Sequence, residues 1–168
     1  GTERLGMLGN LMISAGNFSA PQILFINGNW LNLMGPDAFI EGSGTVVFQG
    51  SEHQYCSTEN FNNLRLAKVG GSLRIQTAVV SCNSYEWLSG ALDLIIGNFT
   101  ALDLAQDGIY GDFYVNILST LSLHQDSESW IDLNGTLNIL GGECHIYGGN
   151  VICWWGYALP ATVNMNGG

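Results

Sequence analysis

Three of the chain's four basic residues, Arg65, Lys68 and Arg74, lie close together, and carboxylates follow at Asp93 and Asp103. A base beside a guanidinium or metal is the arrangement that removes a proton next to a sugar carboxylate. Two carboxylates at a fixed separation are what glycoside hydrolysis requires. Neither constellation is completed, because the sequence holds no Asp-x-Asp pair, no Ser-His-Asp spacing and no Gly-rich phosphate loop. A surface strand carrying a few Lys and Arg accounts for the cluster equally well. The residues therefore predict no enzyme, with a polysaccharide lyase or hydrolase as the weakest reading.

Cysteine and histidine offer metal or disulfide chemistry. His53 and Cys56 in HQYC, and Cys144, His145 and Cys153 in ECHIYGGNVIC, carry ligand-type side chains. Neither group has a paired C-x-x-C partner, and adjacent strand residues such as Cys144 and His145 face opposite ways, so no zinc site is expected. Cys56 and Cys82 stand near one coil length apart, and Cys144 and Cys153 flank a Gly-Gly turn. Each pair is a disulfide candidate, and free Cys filling the core as a small hydrophobe is the alternative. Asp93, Asp103 and Asp132 centre Leu-Asp-Leu or Ile-Asp-Leu triplets. Aligned on one face they would repel, and Ca²⁺ would relieve that repulsion. Without an EF-hand loop or a Gly-Gly-x-Gly-x-Asp nonapeptide, solvated surface charge is the simpler account, and no cofactor is expected.

Trp154, Trp155 and Tyr157 follow Cys153 closely. Strand alternation turns at least one Trp outward, where it would stack on a sugar ring or anchor a protein partner. Cover for the core is the competing role. Trp30, Tyr85, Trp87 and Trp130 read as core or corner residues. Asn17, Asn98 and Asn134 open N-x-Ser/Thr triplets and read as corner residues whose side chains hydrogen-bond along a stack.

Short strands must position all of these. Runs such as Leu64-Arg65-Leu66, Leu73-Arg74-Ile75, Leu92-Asp93-Leu94, Leu102-Asp103-Leu104 and Leu121-Ser122-Leu123 alternate apolar with polar residues, and Gly- or Asn-rich breaks separate them. No segment sustains a helical period. The word GNFSA at 16–20 recurs as GNFTA at 97–101, and NGNWLNLMG at 27–35 is echoed by NGTLNILGG at 134–142. The interval between the first two divides into four turns of about 20 residues, the size of a solenoid coil. The predicted fold is all-β, a right-handed parallel β-helix with coils of roughly 20–26 residues. An antiparallel β-sandwich is the alternative.

Composition agrees. Glycine reaches 23 residues, charged residues only 11%, and 46% of the chain is hydrophobic. A net charge of −10 leaves almost nothing to grip a phosphate backbone or an anionic membrane, so nucleic acid is excluded. No apolar run approaches the ~20 residues of a spanning helix, so no membrane insertion is expected. The chain opens Gly-Thr-Glu. It is expected to be one solenoid segment over 1–168, part of a longer chain or of a head-to-tail assembly.

The stretch AFIEGSGTVVFQGSEHQYCSTENFNNLRLAKVGGSLRI, residues 38–75, resembles a pattern in large secreted bacterial surface proteins. In that pattern a GTVxFxG strand leads into a short aromatic segment and then F-x-N-L-x-I. ALDLIIGNFTALDL and WIDLNGTLNILGG resemble the same proteins' strings of strand and Gly-Asn turn. The resemblance implies β-helical or adhesin-like repeats, export by the type IX secretion route and an extracellular or cell-surface location. In that setting an even Cys count favours two disulfides, with the connectivity open. The expected function is structural, as a rigid stalk, adhesin segment or filament subunit. Its partners would be further coils or identical subunits end to end, and a carbohydrate-binding adhesin module using Trp154, Trp155 or Tyr157 is the alternative.

Overall fold

The computed structural model describes residues 3–104, 108–109, 112–116, 119–124, 130–133, 136–147, 150–152 and 162–165, with side chains for 3–104, 114–116, 119–124 and 136–147. It is a parallel β-solenoid, and every pairing between its named strands is parallel. The antiparallel sandwich is therefore set aside. Three stacks of strands form the faces. The first begins with Arg4–Met7, Ile23–Ile26 and Thr45–Gly50, the second with Leu11–Ile13, Trp30–Asn32 and Gln54–Cys56, and the third with Phe18–Ser19 and Phe39–Ile40. Two long strands, Glu59–Gln76 and Val79–Ile95, cross all three faces without a break, bending at the corners.

Register on the second face is continuous. Leu11, Trp30, Cys56, Ile75, Leu94, Val115, Ile139 and Met165 occupy one column. The steps along that column are unequal. Those from Leu11 to Trp30 and from Cys56 to Ile75 are short, and that from Trp30 to Cys56 is long. Corners absorb the variation, because loops lengthen there without disturbing the ladder. One such insertion, inside the long step, holds the 3₁₀ turn Pro36–Ala38.

Alternation decides what is inside. Leu64, Leu66, Leu73, Ile75, Leu92 and Leu94 are fully buried, while Arg65, Arg74 and Asp93 between them face out. Aromatic rings fill the early coils, with Trp30 edge-on to Phe39 at 4.7 Å and to Phe61 at 5.2 Å. Trp30, Tyr85 and Trp87 are core residues, in line with the sequence reading.

The repeated words mark real equivalences. GNFSA and GNFTA both lead into the third face, where Phe18 packs on the core and Phe99 is buried within it. The echo between 27–35 and 134–142 falls on one face but in a slipped register, since Trp30 belongs to the column of Ile139 rather than that of Leu137. Leu102-Asp103-Leu104 is not a strand; Leu102 is exposed and the triplet turns a corner, held to the preceding coil by Leu102 N–H on Cys82 O at 2.9 Å and by the bridge from Leu104 to Tyr85.

Candidate functional site

The three clustered cations diverge. Arg65 faces out on the first face and forms an ion pair with Glu86 on the next coil. Arg74 faces out on the second face, its Nε 3.4 Å from Asp93 Oδ2. Lys68 is not on the surface at all. It is 1% exposed, and its ammonium donates to Glu52 O at 2.7 Å and to Gln54 Oε1 at 2.6 Å. Burial holds its pKa down to about 8, against an opposing pull from Glu52. Lys68 lies just before a corner, so its stem runs inward and its head reaches oxygens of the preceding coil. No catalytic triplet of cations is assembled.

The candidate pairing of Cys56 with Cys82 is not formed. Both are free, because the coil after Cys56 is shorter than the interval between them and so sets them in different columns. Cys56 stacks between Trp30 and Ile75, and Cys82 between Phe61 and Ala101. Burial pushes both thiols well up, which suits packing and not nucleophilic or redox work. Cys144 is also free, its thiol pushed up to about 11 by burial. Cys153, with Trp154, Trp155, Tyr157, Asn134 and the side chain of Trp130, lies outside the described residues.

Asp93, Asp103 and Asp132 do not share a column. Asp93 aligns with Arg74 and Tyr114, Asp103 sits at a corner, and Asp132 aligns with Gly108 and Ile152. None of the three stands one coil from the next, so no carboxylate ladder forms to recruit Ca²⁺. Among the described residues no group of three His, Cys, Asp or Glu could hold a metal. Asn98 behaves as its corner reading implies, with Oδ1 accepting from Thr120 N at 3.1 Å on the next coil.

What the tertiary structure does assemble is a groove of about 670 Å³ on the outward side of the second face. Three outward columns build it. Ser72 and Ala91 form one column of small residues, Arg74, Asp93 and Tyr114 the central column, and Ile95 and Asn116 the third. Gly71 and His53 close it at the corner. The floor is low because those first positions carry small side chains.

The polar groups converge along the stack. Asn116 Nδ2 donates to Asp93 Oδ1 at 2.9 Å and to Leu94 O at 2.8 Å, fixing the carboxylate. Arg74 donates to Tyr55 Oη at 3.3 Å, and its guanidinium lies 5.9 Å from that ring's centre. Arg74 Nη2 is 3.2 Å from His53 Nε2, and His53 Nδ1 accepts from Ser72 N–H at 3.1 Å with the Ser72 hydroxyl at 2.9 Å. This Ser–His contact is half of a nucleophilic dyad, but activation would need a carboxylate on the far imidazole nitrogen. Here that nitrogen faces a guanidinium, and Ser72 is 4% exposed. The contact therefore lacks the carboxylate that would complete a triad. Sequence reasoning missed the groove because its residues come from four coils. The available signal was the run of outward Tyr55, Arg74, Asp93 and Tyr114 at coil spacing.

No protein-family model matches the chain, and no curated protein or solved structure matches it either, so the likeness to type IX surface proteins rests on the quoted residues alone.

Proposed function

We propose that this chain is a stretch of structural solenoid from an extracellular or cell-surface protein, serving as a rigid stalk, adhesin segment or filament subunit. The observation that carries this reading is the unbroken second-face register from Leu11 to Met165. Each coil contacts only its neighbours, so stiffness accumulates along one axis and length is added coil by coil. The dearth of positive charge and the net charge of −10 suit a soluble surface rod.

The ends supply the means of joining. Among the described residues, Arg4–Met7, Leu11–Ile13 and Phe18–Ser19 are paired on one side only, as are Glu143–Tyr147, Asn150–Ile152 and Thr162–Met165. At the first of these ends Leu5, Met7, Leu11, Ile13 and Phe18 line an apolar cavity of about 320 Å³. Unpaired edges over an apolar interior favour a further coil or an identical subunit in register.

Electron microscopy of the native material tests this. Rods with a repeat of ~4.8 Å along their axis, longer than one chain and carrying a subunit repeat, are the expected result for a filament. Short isolated particles would remove self-assembly and leave the stalk reading. Particles lacking the axial repeat would overturn both.

A further inference from the structure

We propose that the groove on the second face is a binding site for an extended, neutral oligosaccharide lying along the solenoid axis. The groove crosses four coils, from His53 through Ser72 and Ala91 to Tyr114. At about 4.8 Å per coil that is a track of roughly 14 Å, long enough for about three sugar rings. The spacing of the coils is close to the length of one pyranose ring, so each ring meets an equivalent outward position. A straight track suits an extended glycan rather than a coiled one.

The chemistry along the track is what a polyhydroxylated ligand needs. Tyr114 presents an aromatic ring for a sugar's C–H face. Asp93 is held by Asn116 through Oδ1, while Arg74 Nε stands 3.4 Å from Oδ2 and is itself without a hydrogen-bond partner. A carboxylate oxygen accepts more than one donor, so a sugar hydroxyl can donate to Asp93, and adjacent hydroxyls can accept from the Arg74 guanidinium. Ser72 and Ala91 leave the depth for a ring to sit between these walls. Neutrality follows from charge: Arg74 is already opposed by Asp93, and the chain's net charge of −10 repels an anionic glycan.

The site is independent of the rod's ends, so it stands or falls apart from the filament reading. The test is calorimetric titration of the full chain with cellotetraose, maltotetraose and tetragalacturonate. Cellotetraose binding is expected, with maltotetraose weaker. Tyr114→Ala should weaken it roughly tenfold, Tyr114→Phe by less than about threefold, and Ala91→Leu, which fills the floor, should abolish it. The Tyr114 variants should keep the parent melting temperature, so a loss of binding is not a loss of fold. Silence with cellotetraose at millimolar concentration overturns the proposal. Binding that survives both Tyr114→Ala and Ala91→Leu also overturns it by placing the glycan elsewhere. Preferential binding of tetragalacturonate, lost in Arg74→Ala, would overturn the neutral class.

Discussion

Two corners of the solenoid solve the same problem with different residues. Between the first and second faces the left-handed backbone positions are glycines, Gly50, Gly71 and Gly90, with φ of 104°, 62° and 99°. Between the second and third faces glycine shares the role: Gly16, Gly35 and Gly141 stand at 67°, 90° and 93°, while Thr77 at 51° and Ile96 at 54° take it after the two long strands. The difference lies in how near the neighbouring coil comes. A Cβ on Gly71 would sit 2.5 Å from the backbone carbon of Glu52, whereas one on Gly16 would meet nothing within 4 Å. Ile96 likewise turns its side chain to solvent and is 49% exposed. Positive φ alone does not demand glycine, since Thr77 and Ile96 also adopt it; at Gly71 and Gly90 close approach crowds out a Cβ as well, while Gly50 meets its neighbour only at 3.6 Å.

Each corner also buries one ion without a counter-ion in hydrogen-bond contact among the described residues. Lys68 at the first is held by two oxygen acceptors. Glu59 at the second is fully buried and accepts from Trp30 Nε1 at 3.0 Å, Asn32 Nδ2 at 2.8 Å and Asn60 N at 3.1 Å. Burial raises the Glu59 pKa; the donors pull against that, and Glu41 adds to the rise.

The comparison breaks most visibly at glycine. Gly71→Ala meets both the left-handed penalty of about 1–2 kcal/mol and the Glu52 backbone, so a loss above about 3 kcal/mol is expected in urea unfolding. Gly16→Ala meets only the first, at about 1–2 kcal/mol; an equal loss in the two variants would show that φ, not proximity, selects the residue. Next comes the buried ion. Glu59→Ala strands the Trp30 and Asn32 donors, at about 1–3 kcal/mol for each orphan, so a drop of about 2–6 kcal/mol is expected. Lys68→Met removes a desolvated charge along with its bonds, and thermal melts should place it within about 1 kcal/mol of the parent.

The two ions should also differ in the sign of their pH dependence. Lys68 has a folded pKa of about 8 against an ordinary 10.5, so between these values the folded state binds fewer protons and stability rises with pH. Glu59 has a folded pKa above the ordinary 4.5, so the folded state binds more protons there and stability falls as pH rises through that window. Melting temperatures across pH should lose the alkaline rise in Lys68→Met and the acidic fall in Glu59→Gln; unchanged profiles would show that neither ion is coupled to folding. The smallest effect is Ile96→Gly. Relief of left-handed strain, less glycine's entropic cost of roughly 0.5–1 kcal/mol, should gain about 0.5–1 kcal/mol in the same melts.

Much of the fold was legible because the short period of a strand and the longer period of a coil are both written in the order of residues. Leu64-Arg65-Leu66 and Leu92-Asp93-Leu94 announced inward and outward positions, and GNFSA and GNFTA announced equivalent turns. Lys68 continues the inward alternation of Leu64 and Leu66, against the outward position its charge suggests. Whether Cys56 meets Cys82, and whether Asp93, Asp103 and Asp132 share a column, depended on the length of a particular coil. That length changes from one coil to the next because corners absorb insertions.

The sequence by itself determined the class of structure, since local alternation and turn chemistry are properties of neighbours along the chain. It also determined the excess of negative charge. Only the tertiary structure decided which residues stack on which, and with it the Arg74–Asp93 pair, the buried Lys68 and Glu59, and the groove they leave outside. Those depend on register between coils, which is fixed by packing of the interior and by how closely one corner can approach the next.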